Sequence, residues 1–158
     1  MKKIIPLVII VILIAASFFF LRNTEQTPLE PVTSVAIMVP PDLAAYDAAM
    51  NSYIFDGTPN PAPTWKFVPK IVTVATTTDI KKASAHAAAL YIPTQGGEAG
   101  ANLDYFEIID GTAYVVMHMQ VDGWAGVSIS LTKIKPIVEQ TLLQFSDIKA
   151  VKFDYANS

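Results

Sequence analysis

Two histidines, His86 and His118, are the side chains best suited to acid–base or metal chemistry. A zinc site built on a helix needs a second ligand at helical spacing, and no carboxylate lies four residues from His86. Asp104 and Glu107 are predicted on opposite faces of a strand, so their spacing does not make an acid–base pair. A site using both histidines could form only through tertiary contact. The sequence therefore predicts no catalytic, cofactor-binding or metal-ligating residue.

Other reactive motifs are missing from the sequence. The chain has no cysteine, which excludes disulfides, thiolate zinc sites and a lipid-modified cysteine. The serines in VSISL (127–131) lack the Gly-x-Ser-x-Gly frame of a nucleophile elbow. The glycine-rich segment TQGGEAGAN (94–102) follows a predicted helix and lacks the Lys-Ser/Thr pair of a phosphate loop. These features argue against a serine hydrolase and against nucleotide binding.

The N-terminus has the pattern of a membrane anchor. An uncharged, largely apolar run extends from Ile4 to Leu21, and as a helix it would be about 27 Å long, close to the thickness of a bilayer core. Lys2 and Lys3 precede it, which favours a cytoplasmic N-terminus. We expect an uncleaved single-pass anchor in the cytoplasmic membrane. The alternative is signal-peptide cleavage after Ala15-Ala16-Ser17, which would give a secreted domain. Both place the remainder outside the cytoplasm.

Composition divides the chain into an anchor (1–22), a polar linker with two prolines (23–31) and one extracytoplasmic domain (32–158). Hydrophobic residues make up 52% of the chain, enough to fill a core. The net charge is −3, and the domain alone is more acidic because Lys2 and Lys3 belong to the anchor. An acidic domain without a basic cluster argues against nucleic acid and anionic lipid as partners.

Hydrophobic periodicity predicts an α+β domain. We expect a mixed β-sheet with two main helices packed on one face, in the order β-β-α-β-β-α-β. The predicted strands lie at 33–39, 65–76, 103–110, 112–121 and 148–156, and the main helices at 79–92 and 131–145. A further helix at 42–55, capped by Asp42, is compatible with the pattern. Pro69 suggests that its strand is an edge strand or carries a bulge.

The segment from Phe106 to Trp124 contains Asp110, Gly111 and His118 between apolar runs. Asp-Gly suits the left-handed dihedrals of a two-residue hairpin turn. Side chains alternate along a strand, so His118 should share a half-exposed face with Tyr114 and Val116. This pattern predicts a hairpin, with Asp110 as a turn residue.

The helices carry predicted buried faces. In the last helix, apolar residues recur at spacings of three and four, and this stripe must pack against a sheet: Leu131, Ile134, Val138, Leu142 and Phe145. Because proline fits only the first helical turn, Pro136 predicts a start near Lys133. In the preceding helix, Ile80, Ala83, Ala87 and Leu90 are predicted to face the core.

Three segments carry a family resemblance: AHAAAL (85–90), IIDGTAYVVM (108–117) and VEQTLLQFSDIKAVKF (138–153). In this order they resemble the GerMN (sporulation and spore-germination) domain family, over roughly Val32 to Tyr155. The chain departs from the family pattern in a proline-rich insertion between the first two strands, in GVSISLTK (126–133), and in lacking the cysteine of lipoprotein members. The resemblance implies a compact α+β domain on the outer side of a membrane and implies no catalytic residues.

The sequence thus predicts a membrane-anchored, non-catalytic domain of the bacterial envelope, sporulation- or germination-like, that binds an envelope protein or peptidoglycan. No cofactor is expected, and self-association is left open. The competing interpretations are a small extracytoplasmic enzyme whose site assembles from distant residues, and a secreted binding protein. An enzyme requires a concave pocket with convergent polar groups near a histidine. A binding module should show an apolar patch or an open sheet edge.

Overall fold

The computed structural model describes residues 32–91, 100–119 and 126–156. The predicted anchor (1–22) and linker (23–31) lie outside these residues. Within the described ranges, no helix combines the length and the apolar character needed to cross a membrane.

The described domain is α+β, as predicted, but it contains three helices where two main helices were expected. Its order is β-α-β-α-β-β-α-β. The strands are β1 (Val32–Val39), β2 (Val68–Ala75), β3 (Asn102–Ile109), β4 (Thr112–His118) and β5 (Ala150–Lys152). The helices are α1 (Leu43–Asp56), α2 (Ile80–Ala89) and α3 (Val127–Leu143), with a short 3-10 turn at Ala62–Thr64.

Helix α1 is the element that the predicted order omitted. The Asp42 carboxylate accepts a hydrogen bond from the Ala45 amide at 2.9 Å and caps the helix. Tyr46 and Met50, one helical turn apart, are both fully buried. Gly57, at φ +70°, ends the helix in the left-handed conformation that glycine adopts at little cost. These two side chains belong to the core, and Leu43 and Tyr53 of the same helix pack against it.

The strands form two sheets, so the prediction of one mixed sheet was wrong in part. β1 and β2 are antiparallel in a two-stranded sheet, and β4 pairs antiparallel with β3 and parallel with β5. Side chains at the C-terminal end of α3 bond to the second edge of β1. The Met38 amide donates to Thr141 Oγ1 and the Gln144 side-chain amide donates to the Ala36 carbonyl, each at 2.8 Å. Among the described residues, these side chains contact this edge and no further strand pairs with it.

The core lies between the strands and the two later helices. α2 and α3 pack against each other and against β1, and they also contact β3 and β5 respectively. The fully buried large side chains are Ile37, Tyr46, Met50, Val115, Ile134, Ile137, Val138 and Leu142. The predicted stripe on α3 is confirmed: Ile134, Val138 and Leu142 are buried, and Leu131 and Phe145 pack against them.

Two predictions for the helices were wrong. α3 begins at Val127, and Pro136 lies inside it. Buried residues flank the proline on both sides, and their burial outweighs the roughly 3 kcal/mol that an interior proline costs. In α2 the fully buried residues are Ser84, Ala85, Ala88 and Ala89. Of the predicted residues, Ala87 packs against the core, whereas Ile80 and Leu90 are exposed. Small side chains let α2 approach its neighbours closely, so the face with serine and alanine packs inward and the larger Ile80 and Leu90 stay outside.

The hairpin prediction is confirmed. Asp110 and Gly111 have φ of +49° and +78° and connect β3 to β4, as a type I′ turn requires. The Gly111 carbonyl accepts from the Lys149 amide at 2.7 Å, which holds the start of β5 beside the turn. Asp110 therefore serves the turn that organises the three-stranded sheet.

Candidate binding surface

His118 meets Asp104 on the outer face of the three-stranded sheet. The pairing of β3 with β4 shifts register between Leu103 and Tyr105, so Asp104 is the extra residue of a β-bulge. The bulge brings the Asp104 carboxylate against Nδ1 of His118, and both side chains remain more than a third exposed. The sequence missed this contact because a one-residue bulge changes which side chains share a face.

The same outer face carries three tyrosines. The rings of Tyr105 and Tyr155 lie 5.1 Å apart, and the Lys152 ammonium lies 5.5 Å from the centroid of the Tyr114 ring. The Tyr105 hydroxyl donates to the Glu107 carboxylate, and this hydrogen bond raises the pKa of Tyr105. The charged side chains on this face are thus engaged with neighbours.

His86 lines a separate cleft of about 370 Å³. The carboxylate in that cleft, Asp79, accepts a hydrogen bond from the Lys82 amide at 2.9 Å and caps α2. Leu103 also lines the cleft and lies on the helix-covered face of the sheet, whereas His118 lies on the opposite face. The structure therefore does not bring the two histidines together. The described residues contain no group of three or more His, Asp or Glu side chains that could hold a metal.

A second cleft, of about 460 Å³, lies where α3 faces the loop after α1. Its polar lining includes Asn60, Lys135, Glu139 and Gln140. The Lys135 ammonium lies 5.4 Å from the centre of the Phe153 ring. Neither His86 nor His118 lines this cleft, so its polar side chains do not contribute to a site around either histidine.

Among the described residues, no segment pairs with the outward edge of β2. The backbone groups of Ala36 and Met38 bond to side chains at the end of α3, so they point away from β2. In an antiparallel pair, the residues opposite them, Ile71 and Pro69, also direct their backbone groups away from the partner strand. By the same alternation, Thr73 and Ala75 do so too. Nothing in the described part of the chain hydrogen-bonds to these groups. We call the outward backbone groups of Pro69, Ile71, Thr73 and Ala75 the β2 edge.

The outer face of the two-stranded sheet adjoins this edge and carries no charged side chain. Val35, Ile37 and Val39 point into the core, so the alternate residues face outward. Ile71 and Val32 are 68% and 65% exposed. The outward side chains are Val32, Ser34, Ala36, Met38, Pro69, Ile71, Thr73 and Ala75. We call this set the β1–β2 outer face.

The sequence predicted part of this surface. Pro69 indicated an edge strand, and β2 is one, with Pro69 opposite Met38 where its missing N–H costs no ladder bond. The exposure of Ile71 was not predicted, because a run such as VPKIVTVA reads equally well as a strand covered on both faces. Only the neighbouring elements show which face is left open.

No family model, curated protein or solved structure matches the chain. The resemblance to GerMN domains accordingly stays a prediction from the sequence.

Proposed function

We propose that the chain is a membrane-anchored, non-catalytic domain of the bacterial envelope that binds an envelope protein along the β2 edge. The N-terminal apolar segment would hold the domain on the outer side of the cytoplasmic membrane. The observation that carries the proposal is the β2 edge itself, open beside an uncharged face. It is the kind of surface that distinguishes a binding module from an enzyme.

An open edge is a template for an added strand. Its N–H and C=O groups supply affinity through main-chain hydrogen bonds, and alternate side chains supply specificity. Proteins that do not use such an edge usually block it with charges, bulges or covering segments. In β2 the only charged residue, Lys70, points to the inner side, where its ammonium lies 4.6 Å from the centre of the Tyr91 ring. Pro69 blocks one end of the edge only.

The geometry of the titratable residues supports a non-catalytic role. A general base needs a reacting group within hydrogen-bond reach and a partner that orients it. His118 has Asp104 beside it but lies on an open sheet face, and His86 lies in a cleft whose carboxylate caps a helix. Neither histidine combines an orienting carboxylate with an enclosed pocket.

The cell-wall alternative has its own surface. Tyr155 is exposed and stands beside Tyr105 on the outer face of β3, β4 and β5. Tyrosine rings present an apolar face and a polar hydroxyl, a combination suited to a glycan strand. A peptidoglycan partner would use this face and leave the β2 edge free.

The first test concerns location. Full-length protein should sediment with membranes, resist extraction at alkaline pH, and retain Met1 to Leu21 when its N-terminus is sequenced. External protease should digest the domain in cells with a permeabilised wall. A mature protein that starts at Phe18 would show that the segment is a cleaved signal peptide and that the domain is secreted. Protection of the domain from external protease would contradict an extracytoplasmic location.

The second test locates the binding surface in the native membrane. A photoreactive amino acid at Ile71 should cross-link the chain to a protein, whereas the same group at Tyr155 should not. Adding Thr73→Pro should abolish the Ile71 product, because it removes an outward N–H from the β2 edge. Cross-linking at Tyr155 to glycan fragments, with none at Ile71, would replace the protein partner by a cell-wall partner.

A further inference from the structure

We propose that the partner on the β2 edge is a second copy of this chain, paired antiparallel about a two-fold axis at Thr73. The inference rests on the proposed function, since it assigns an occupant to the same edge. It would join the two-stranded sheets of two copies into one continuous sheet, in the order β1-β2-β2-β1.

The available backbone groups favour this register, in which all hydrogen-bonded residues lie within β2. The β2 edge offers N–H groups at Ile71, Thr73 and Ala75, and none at Pro69. Antiparallel pairing centred on Thr73 places Thr73 opposite Thr73 of the second copy, and Ile71 opposite Ala75. Every N–H of the edge then has a carbonyl opposite it, and Pro69 falls outside the ladder. Centring on Val72 would instead place Pro69 opposite Ala75. Because proline has no N–H, the Ala75 carbonyl would then lack a donor.

The side chains agree with this register. On the outer face, threonine would lie opposite threonine, a favourable cross-strand pair, and the exposed Ile71 would lie beside Ala75. On the inner face, Val72 would lie opposite Val74, and Lys70 opposite Thr76. No two charges of like sign face each other. The β1–β2 outer faces of the two copies would merge into one uncharged surface.

A second copy fits the edge better than the chain's own linker. The linker contains Pro28 and Pro31, and a strand donating to the β2 edge would lose a hydrogen bond at each proline that faced it. Copies confined to one membrane also meet at a high effective concentration, which favours pairing through a single edge.

Mass measurement of the full-length chain in detergent tests the inference. We expect a mass of two chains that falls to one on dilution, and at least a ten-fold weaker dimer in Thr73→Pro. The matched control is Ser34→Pro. Ser34 lies opposite Thr73 on the same face, and its N–H also points away from the β1–β2 ladder, but toward the other edge of the sheet. It should leave the dimer unchanged, and equal loss in both variants would overturn the assignment to the β2 edge.

Charge swapping tests the register without proline. Thr73→Lys and Thr73→Glu should each be monomeric, because pairing about Thr73 sets like charges opposite each other. An equimolar mixture should recover a mixed dimer. Dimers that persist in either variant alone, or no dimer in the mixture, would overturn the register.

A single introduced cysteine supplies an independent reading, since the chain has none. Thr73→Cys should form a disulfide-linked dimer under mild oxidation at least ten-fold faster than Ser34→Cys. A folded full-length chain that stays monomeric at membrane-like concentration would overturn self-pairing. If that monomer still cross-linked through Ile71 to a different envelope protein, the proposed function would stand and only the identity of the partner would be wrong.

Discussion

The ammonium group of Lys133 lies 2.7 Å from a carboxylate oxygen of Asp47 and joins α3 to α1. The lysine side chain is only 6% exposed, whereas the aspartate is 46% exposed. The Asp47 carboxylate also accepts from the Asn51 side-chain amide at 3.2 Å. The Tyr46 hydroxyl donates to the Lys133 carbonyl at 3.0 Å, so that two polar contacts link these helices.

This asymmetry in burial predicts an asymmetry in the effect of mutation. Asp47→Ala should lower the free energy of unfolding by about 1–3 kcal/mol, because it leaves a buried ammonium without its partner. Lys133→Met should cost less than about 1 kcal/mol, since an apolar chain of similar length replaces the lysine and water reaches the aspartate. Urea denaturation measures both. Lys135→Met on the same helix is the exposed control, and a larger loss in Lys133→Met than in Asp47→Ala would contradict the argument.

Leu142 and Leu143 form a matched pair at the end of α3. Leu142 is fully buried, and Leu142→Ala should cost roughly 2–5 kcal/mol. Leu143 is 37% exposed, and Leu143→Ala should cost less than about 1 kcal/mol. Thermal or urea unfolding separates the two variants. An unchanged melting midpoint in Leu142→Ala would mean that the helix does not cover this core.

Tyr46 predicts a dependence of stability on alkaline pH. Burial raises the pKa of Tyr46 above its ordinary value, with the neighbouring Asp47 charge as a smaller cause. The unfolded chain would therefore release this proton first, so the stability contributed by the neutral hydroxyl is complete below the ordinary pKa of 10.0 and is lost as the pH rises beyond it.

The test compares Tyr46→Phe with the unmodified chain by denaturation at several pH values. At neutral pH the variant should be about 0.5–1.5 kcal/mol less stable, because it lacks the hydrogen bond to Lys133. Above the ordinary tyrosine pKa this difference should narrow. A difference that stays constant or widens would show that Tyr46 does not stay protonated in the folded chain.

Pro136 lies inside α3, where it supplies no helical N–H, and this predicts a stabilising substitution. Pro136→Ala restores an N–H where Thr132 would be its helical acceptor, and we expect the free energy of unfolding to rise by about 1–3 kcal/mol. Glu139→Ala on the same side of the helix is a control that leaves the backbone unchanged. Destabilisation by Pro136→Ala would mean that the core requires the backbone geometry that proline imposes at this position.

The two histidines should tolerate replacement. His86→Ala and His118→Ala should each change the free energy of unfolding by less than about 2 kcal/mol, because both side chains are partly or largely exposed and a surface pair contributes little. Metal analysis of the purified chain and of both variants accompanies the denaturation. A bound metal lost in either variant would identify a ligand that the spacing did not predict.

Local chemistry accounts for the features that could be predicted from the sequence. Asp110 and Gly111 specify a turn through their own dihedral preferences, and Asp42 and Asp79 cap helices through contacts three residues away. The stripe on α3 repeats at helical spacing. Each of these signals lies within one short continuous segment, so none needs the rest of the fold.

Contacts between distant segments account for what the sequence left open. Pro136 lies inside a helix because residues on either side of it are buried against other elements. The strands divide into two sheets, and the free side of β1 is contacted by Thr141 and Gln144, which lie about a hundred residues later in the chain. The meeting of Asp104 with His118 follows from a shift in strand register. The exposure of the β2 edge also depends on distant segments, because it is set by which elements lie beside the strand. Local signals thus specify most of the helices and strands and the buried stripe of α3, whereas the pairing of the sheets and the exposure of their outer faces depend on which distant segments pack beside them.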